Sequence, residues 1–397
     1  MTRTIPQTLK NSPLNPSRLD VVDALRGFAL FGIVLVHNIE HYNIFSLTDN
    51  ILPALATLDK YIWGTVFFLF AGKAYAMFSL LFGFSFHIQF RNREAQGGDF
   101  KWRFAWRMFL LFLFGTFHAL FYAGDILVFY SVVGLILIPM RKVCNKAVLI
   151  AAAVLMLQPL EWGRIFHALF NPDWITWGGS DAVYYRKILP AITGGSFWDV
   201  MKANVWNGQL YSNIWQVENG RLFQTAALFL SGMLLGRTGM FVDSEKSRRF
   251  WKNVLIWAAV AFVPLFLLKT YVPPMVAQQS LRVPLGIILP SYSNFAFMAI
   301  LVSGFVLLWF GRGSGMKFQR VFTPYGRMSL TNYIGQSLIG TFVYFGWGLS
   351  MYKYLGSTMS LLVGVDIFAL QLFFSRWWLA RRRQGPLESL WRKGTWI

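Results

Sequence analysis

Ten stretches of this chain are apolar enough, and nearly all long enough, to cross a lipid bilayer as helices: 21–41, 61–86, 104–123, 126–140, 146–161, 222–240, 253–271, 287–310, 328–350 and 357–379. A bilayer core takes about 20 mostly apolar residues per helix. The spacing therefore predicts an all-α fold, a polytopic membrane helical bundle of about ten transmembrane helices. Composition agrees, with 55% hydrophobic and 14% charged residues where a soluble domain carries about a quarter charged. That excludes an ordinary soluble enzyme. The 39 Phe, 17 Trp and 15 Tyr exclude disorder, and the single cysteine, Cys144, excludes a disulfide scaffold.

The net charge of +20 suggests nucleic acid until its distribution is read. Alternate connecting segments, with Arg3, Lys10, Arg18 and Arg26 before or in the first span, hold 27 Lys/Arg against 7 acids. The segments on the opposite side hold nine of each. Excess positive charge on one side marks the cytoplasm, so both termini are predicted inside. Short basic loops beside a bilayer set topology and touch anionic lipid heads. Membrane lipids are thus expected partners, and nucleic acid is not. The cluster from Arg91 through Arg103 to Arg107 is the best candidate to receive an anionic cytosolic ligand; Arg312 and Arg327 belong to another such segment.

The reading divides the chain into a cytoplasmic segment 1–20, helices 1–5 over 21–161, an outer loop 162–221, helices 6–10 over 222–379 and a basic tail 380–397. The loop carries Trp162, Trp174, Trp177, Trp198, Trp206 and Trp215, a pattern suited to short helices at the interface. It is either a passive lid or a cover over a site.

A charge inside a bilayer costs at least about 2.5–3.5 kcal/mol and marks a candidate site. Arg26 and His37 are eleven residues apart, which returns to one helix face about 16 Å further along. His41, one turn beyond His37, and Glu40, three residues from it, extend that stripe. His37 is either a proton-handling group or a packed histidine. His118 and Asp125 are seven residues apart across Gly124. Asp125 could orient the imidazole as a general base or cap the next helix. Tyr130 could add a hydroxyl there. Lys73, midway through the second span, should face a cavity or pair with an acid. Asn332, Tyr333 and Gln336 form a polar face after Arg327, Arg221 stands with Glu218 at an outer mouth, and Asp366 should seek a base. Spacings for a metal site or a phosphate loop are missing, so no metal ligands are assigned.

A set of local motifs carries a resemblance. Arg18-Leu-Asp-Val-Val-Asp-Ala-Leu-Arg-Gly-Phe-Ala-Leu-Phe-Gly-Ile opens the chain, followed by Phe78-Ser-Leu-Leu-Phe-Gly, Phe114-Gly-Thr-Phe-His118 and Gly124-Asp-Ile-Leu-Val-Phe-Tyr130. Gly326-Arg-Met-Ser-Leu-Thr-Asn-Tyr and Gly385-Pro-Leu-Glu-Ser-Leu-Trp-Arg complete it. Over nearly its whole length the chain resembles the YeiB-like family of bacterial inner-membrane proteins, whose C-terminal half is a domain of unknown function. That family is more distantly similar to integral-membrane acyltransferases, which use cytosolic acyl-CoA to modify a sugar on the far side. The O-acetylase branch has a basic residue, ten intervening residues and a histidine in its first span, the register of Arg26 and His37.

The resemblance implies an acyltransferase with acyl-CoA as co-substrate and an envelope glycan or lipid as acceptor. His37, His118 and Asp125 would be catalytic. Arg26, Glu40, His41, Lys73, Arg91, Arg103, Arg107, Tyr130, Arg221, Asn332 and Gln336 would bind substrate. Two rivals fit the same charges: a transporter of a small amphipathic or anionic solute, and a non-catalytic membrane factor.

Overall fold

The computed structural model describes residues 19–45, 53–171, 174, 178–311 and 313–396. Arg3, Lys10, Arg18, Trp177 and Arg312, invoked above, lie outside the described residues. Every element among those described is helical.

Helix α1 (Asp20–Ile39) is the axis of the bundle, with both ends and most of its length buried. The expected second span is two helices, α2 (Ala56–Phe70) and α3 (Ala74–Glu94), broken where Gly72 takes φ +78°. Asn294 occupies the place where a Cβ on Gly72 would stand, so glycine is needed there for space as well as for its left-handed backbone. α4 (Lys101–Ala119) returns, and α5 (Leu127–Val133) continues through a 3₁₀ turn into α6 (Leu137–Met140). α7 (Asn145–Met156) and α8 (Pro159–Phe170) meet at a 48° bend. At that bend Gln158 adopts φ +59° and donates its side-chain amide to the Gly220 carbonyl. One turn on, Glu161 and Arg164 form a buried ion pair at 3.0 Å.

The region between α8 and residue 221 is a stack of short helices, α9 (Asp181–Gly194), α10 (Phe197–Ala203) and α11 (Gln209–Glu218). Tyr185 donates to the Asn43 carbonyl, Asn204 to that of Leu120, and Ser212 to that of Asp125. These helices therefore sit directly on the C-terminal ends of α1 and α4.

α12 (Arg221–Thr238) crosses α3 at Gly83 and Gly232. α13 (Glu245–Met275) and α14 (Gln279–Phe310) form a long hairpin. α13 buries little beyond Ser247 and Trp251 and exposes Trp257, Val260, Val263, Leu267 and Tyr271. Two short helices, α15 (Ser314–Gln319) and α16 (Phe322–Arg327), lead to α17 (Ser329–Tyr344), α18 (Ser357–Leu379) and α19 (Pro386–Thr395).

Five helical segments are long and apolar enough to cross a membrane, or six if the bent α7–α8 pair is one span. The other expected spans are helical but shorter or more polar than a lone crossing requires. Their polar side chains face inward, as Gln224, Thr225, Asn332, Gln336 and Ser337 do. Asp366 stands exposed on α18, without the expected basic partner among the described residues.

Candidate functional site

The site is built around the C-terminal end of α1. After Ile39 the chain does not continue the helix: His41, Tyr42 and Asn43 take φ of +47°, +53° and +74°. Three consecutive left-handed residues that are not glycine cost about 1–3 kcal/mol each, and such strain persists only where surroundings enforce it. Here the Tyr42 amide donates to the His37 carbonyl at 2.8 Å and the Tyr42 hydroxyl to the Gln336 carbonyl at 2.9 Å. The expected stripe is therefore corrected. His41 is carried off the His37 face, stacks on Tyr344 at 4.9 Å and bonds Ser360 through Nε2 at 3.0 Å. Glu40 caps α1 near Arg221.

His37 remains on the inward face. Its ring lies 5.6 Å from Tyr42 and 5.2 Å from Tyr122, and its buried Nδ1 has no hydrogen-bond partner. The ring of His118 packs against the same Tyr122 at 6.0 Å. The two imidazoles that the sequence set on separate helices are thus gathered around one tyrosine.

His118 is fully buried, with Nδ1 2.7 Å from Asp125 Oδ1. The other carboxylate oxygen accepts the Val128 amide at 2.9 Å. The two alternatives for Asp125, helix cap or histidine partner, hold together, one oxygen for each. A carboxylate accepts hydrogen bonds, so Nδ1 is the donor in this pair and Nε2 is the ring nitrogen left to exchange a proton. That Nε2 is buried and has no partner. Ser212 and Gln216 of α11 donate to the Asp125 carbonyl and fix the turn. Tyr333 lies 5.1 Å from the His118 ring, and its hydroxyl accepts the Ile126 amide at 3.3 Å.

Tyr333, Ile126 and Tyr130 line a cavity of about 770 Å³, whereas His37, His118 and Asp125 do not line it. The cavity runs between apolar walls that include Phe78, Phe82, Phe104, Met108 and Leu111. Its arginine-rich end is lined by Arg91, Arg93, Arg107, Arg327 and Arg392. Arg26 also lines it, but is engaged with Asp23 at 2.7 Å and with Ser85 at 2.6 Å. Tyr130 bonds Ser79 at 2.5 Å and the Tyr75 carbonyl at 3.0 Å.

α19 lies across the arginine-rich end. Glu388 accepts the Leu330 amide at 2.7 Å, the Thr331 amide at 3.1 Å and the Thr331 hydroxyl at 2.6 Å, capping α17. The Trp391 indole donates to the Arg107 carbonyl at 3.1 Å, under the Arg107 guanidinium. Arg103 does not line the cavity; it donates to the Thr395 carbonyl at 2.9 Å. Hydrogen bonds to a charged group contribute about 1.5–3 kcal/mol. Glu388→Ala is accordingly expected to loosen α19 by that order, seen as faster proteolysis of residues after 385; an unchanged cleavage rate would contradict this anchoring.

Other expected site residues are engaged elsewhere. Among the described residues Lys73 pairs with no acid, and it does not line the cavity. The break at Gly72 lets its ammonium reach the Phe67 carbonyl at 3.4 Å, at the C-terminal end of α2, with Phe68 and Phe297 rings beside it, a favourable place for a cation. Arg221 packs on the Tyr75 ring at 3.7 Å, outside the cavity. Asn332 ties helices together, donating to the Tyr325 carbonyl and to Ser375 of α18, both at 3.0 Å. Gln336 is fully buried near Tyr42, with both side-chain polar atoms unpartnered. Sequence reasoning missed Tyr122, Arg392 and Trp396 as site residues; only the Trp391-Arg392 motif pointed toward the last two, whereas Tyr333 stood in the expected polar face and Arg93 in the expected arginine cluster.

Residues 235–397 match the family described as "Protein of unknown function (DUF418)". Along nearly the full length, the chain is 27% identical to the uncharacterized protein YxaH of Bacillus subtilis, covering 97% of this chain and 96% of that one. It is also 27% identical to the uncharacterized protein YeiB of Escherichia coli, over 94% and 95%. An uncharacterized 39.9 kDa protein of Bacillus acidopullulyticus is 25% identical over 95% and 94%. No solved structure matches the chain. With the motifs spread from the first helix to the last and relatives aligned end to end, the chain is similar over nearly its whole length to YeiB-like proteins, and residues 235–397 match the DUF418 domain.

Proposed function

We propose that the protein is a ten-span bacterial inner-membrane acyltransferase with both termini in the cytoplasm, moving an acyl group from cytosolic acyl-CoA to an envelope glycan or lipid. The observation that carries this reading is the Asp125-held His118, its Nε2 unpartnered among the described residues, packed against Tyr333, which lines an arginine-rich cavity. The arginines of that cavity all belong to the segments whose positive excess marks the cytoplasmic side.

An acyl-CoA would set its phosphates on the arginines and its thioester toward Tyr333. The acceptor oxygen attacks the thioester carbon while His118 Nε2 takes the hydroxyl proton. The carbon–sulfur bond then breaks, and the imidazolium returns that proton to the leaving thiolate. Asp125 holds the imidazole and stabilises its charged form. Tyr333, whose hydroxyl proton has no acceptor among the described residues, can donate to the oxyanion that develops on the carbonyl oxygen. Apolar walls exclude the water that would hydrolyse the thioester.

The test is purified protein in detergent with labelled acetyl-CoA, with and without cell-envelope glycans. Label transfer that requires the glycan is the expected result. No transfer, combined with solute uptake in proteoliposomes, would replace this reading with the transporter.

A further inference from the structure

The last described residue, Trp396, has an unusual position. Its ring lies 5.2 Å from the Arg93 guanidinium and 4.6 Å from that of Arg103, and it lines the arginine-rich end of the cavity. Guanidinium groups stack on flat aromatic systems of any origin, purines included. Arg91, Arg327 and Arg392 line the same end. The two acids lining the cavity are engaged, Asp23 with Arg26 and Glu388 with the start of α17. The indole is weakly held: it is 48% exposed, and its N–H has no acceptor among the described residues. Trp391, one turn earlier, is fastened by its own N–H to the Arg107 carbonyl.

Building on the donor assigned above, we propose that the place beside Arg93 and Arg103 is the seat of the donor's adenine base, and that Trp396 fills it while the donor is absent. The indole is a flat bicycle of nearly purine size, so one set of guanidinium planes serves both. A donor must then displace the tail, and its apparent affinity falls by the fraction of molecules in which the seat is free. The C-terminus thereby tunes how much nucleotide the protein retains when cytosolic donor is scarce.

The probe is desulfo-coenzyme A, which carries the adenine and the phosphates but cannot react. Its binding to full-length protein in detergent is measured for wild type, Trp396→Ala and Trp396→Phe, with inorganic pyrophosphate as a base-free control. Trp396→Ala is expected to bind the probe about tenfold tighter, as for a seat open in about a tenth of wild-type molecules. Trp396→Phe should stay near wild type, and pyrophosphate should bind all three alike. Probe affinity equal in wild type and Trp396→Ala, with melting temperatures unchanged, would overturn the seat while leaving the acyl-CoA reading standing. So would a gain shared equally by pyrophosphate. Failure of the probe to bind any of the three would remove the acyl-CoA reading itself.

Discussion

His118→Gln is expected to leave the bundle folded and to lower acyl transfer by about 10²–10⁴-fold, the range attributed to a positioned general base. Glutamine carries an amide N–H that can still donate to Asp125, so the buried carboxylate keeps a partner. It has no nitrogen able to accept a proton at neutral pH. Alanine is the poorer probe, because an unpartnered buried acceptor costs about 1–3 kcal/mol or more, and lost activity would then be confused with lost protein. His37→Ala should cost less, since no carboxylate bonds its ring and Tyr122 still buttresses His118. The measurement is label transfer normalised to folded protein by gel filtration. Full activity in His118→Gln would remove the imidazole from the mechanism.

The second large effect is structural. Where α3 crosses α12, a Cβ on Gly83 would run into the Phe229 carbonyl, and one on Gly232 into that of Leu80. Each obstacle is backbone, which cannot rotate aside as a side chain does. Gly83→Leu should therefore push the two helices apart, with a cost above the about 1–3 kcal/mol usual for an overpacked core. Little monodisperse protein should survive extraction. Gly64 has open space where its Cβ would be, so Gly64→Ala should extract like wild type. If Gly83→Leu behaved like that control, the close crossing would be wrong.

How far the sequence could be read depended on range. Hydropathy located helices well, because apolar content is a local property. It could not foresee that α2 and α3 are separate, since the break depends on Gly72 meeting Asn294 from α14. His118 and Asp125 were paired from spacing alone, being seven residues apart around one tight turn. His41 was misplaced because helical extrapolation assumes the helix continues, whereas tertiary bonds to Tyr42 and Asn43 force the left-handed turn. The cavity was invisible: its arginines come from α1, α3, α4, α16 and α19, and no periodicity links residues that far apart. Asn332 looked like a binding group because polarity within a span reads the same whether the partner is a ligand or a neighbouring helix.

The crossing of α1 with α16 bears on what the DUF418 segment is. A Cβ on Gly326 would strike the Asp23 carbonyl, and one on Gly27 the Phe322 carbonyl, so the two chains of backbone touch across the border between the family domain and the preceding half. Produced alone, residues 235–397 would present an open trench where α1 belongs. Two separately translated pieces, divided in the turn between α12 and α13, should instead find each other within the membrane and reconstitute the whole. The segment that sequence comparison delimits is, on this geometry, a unit of inheritance rather than one of folding.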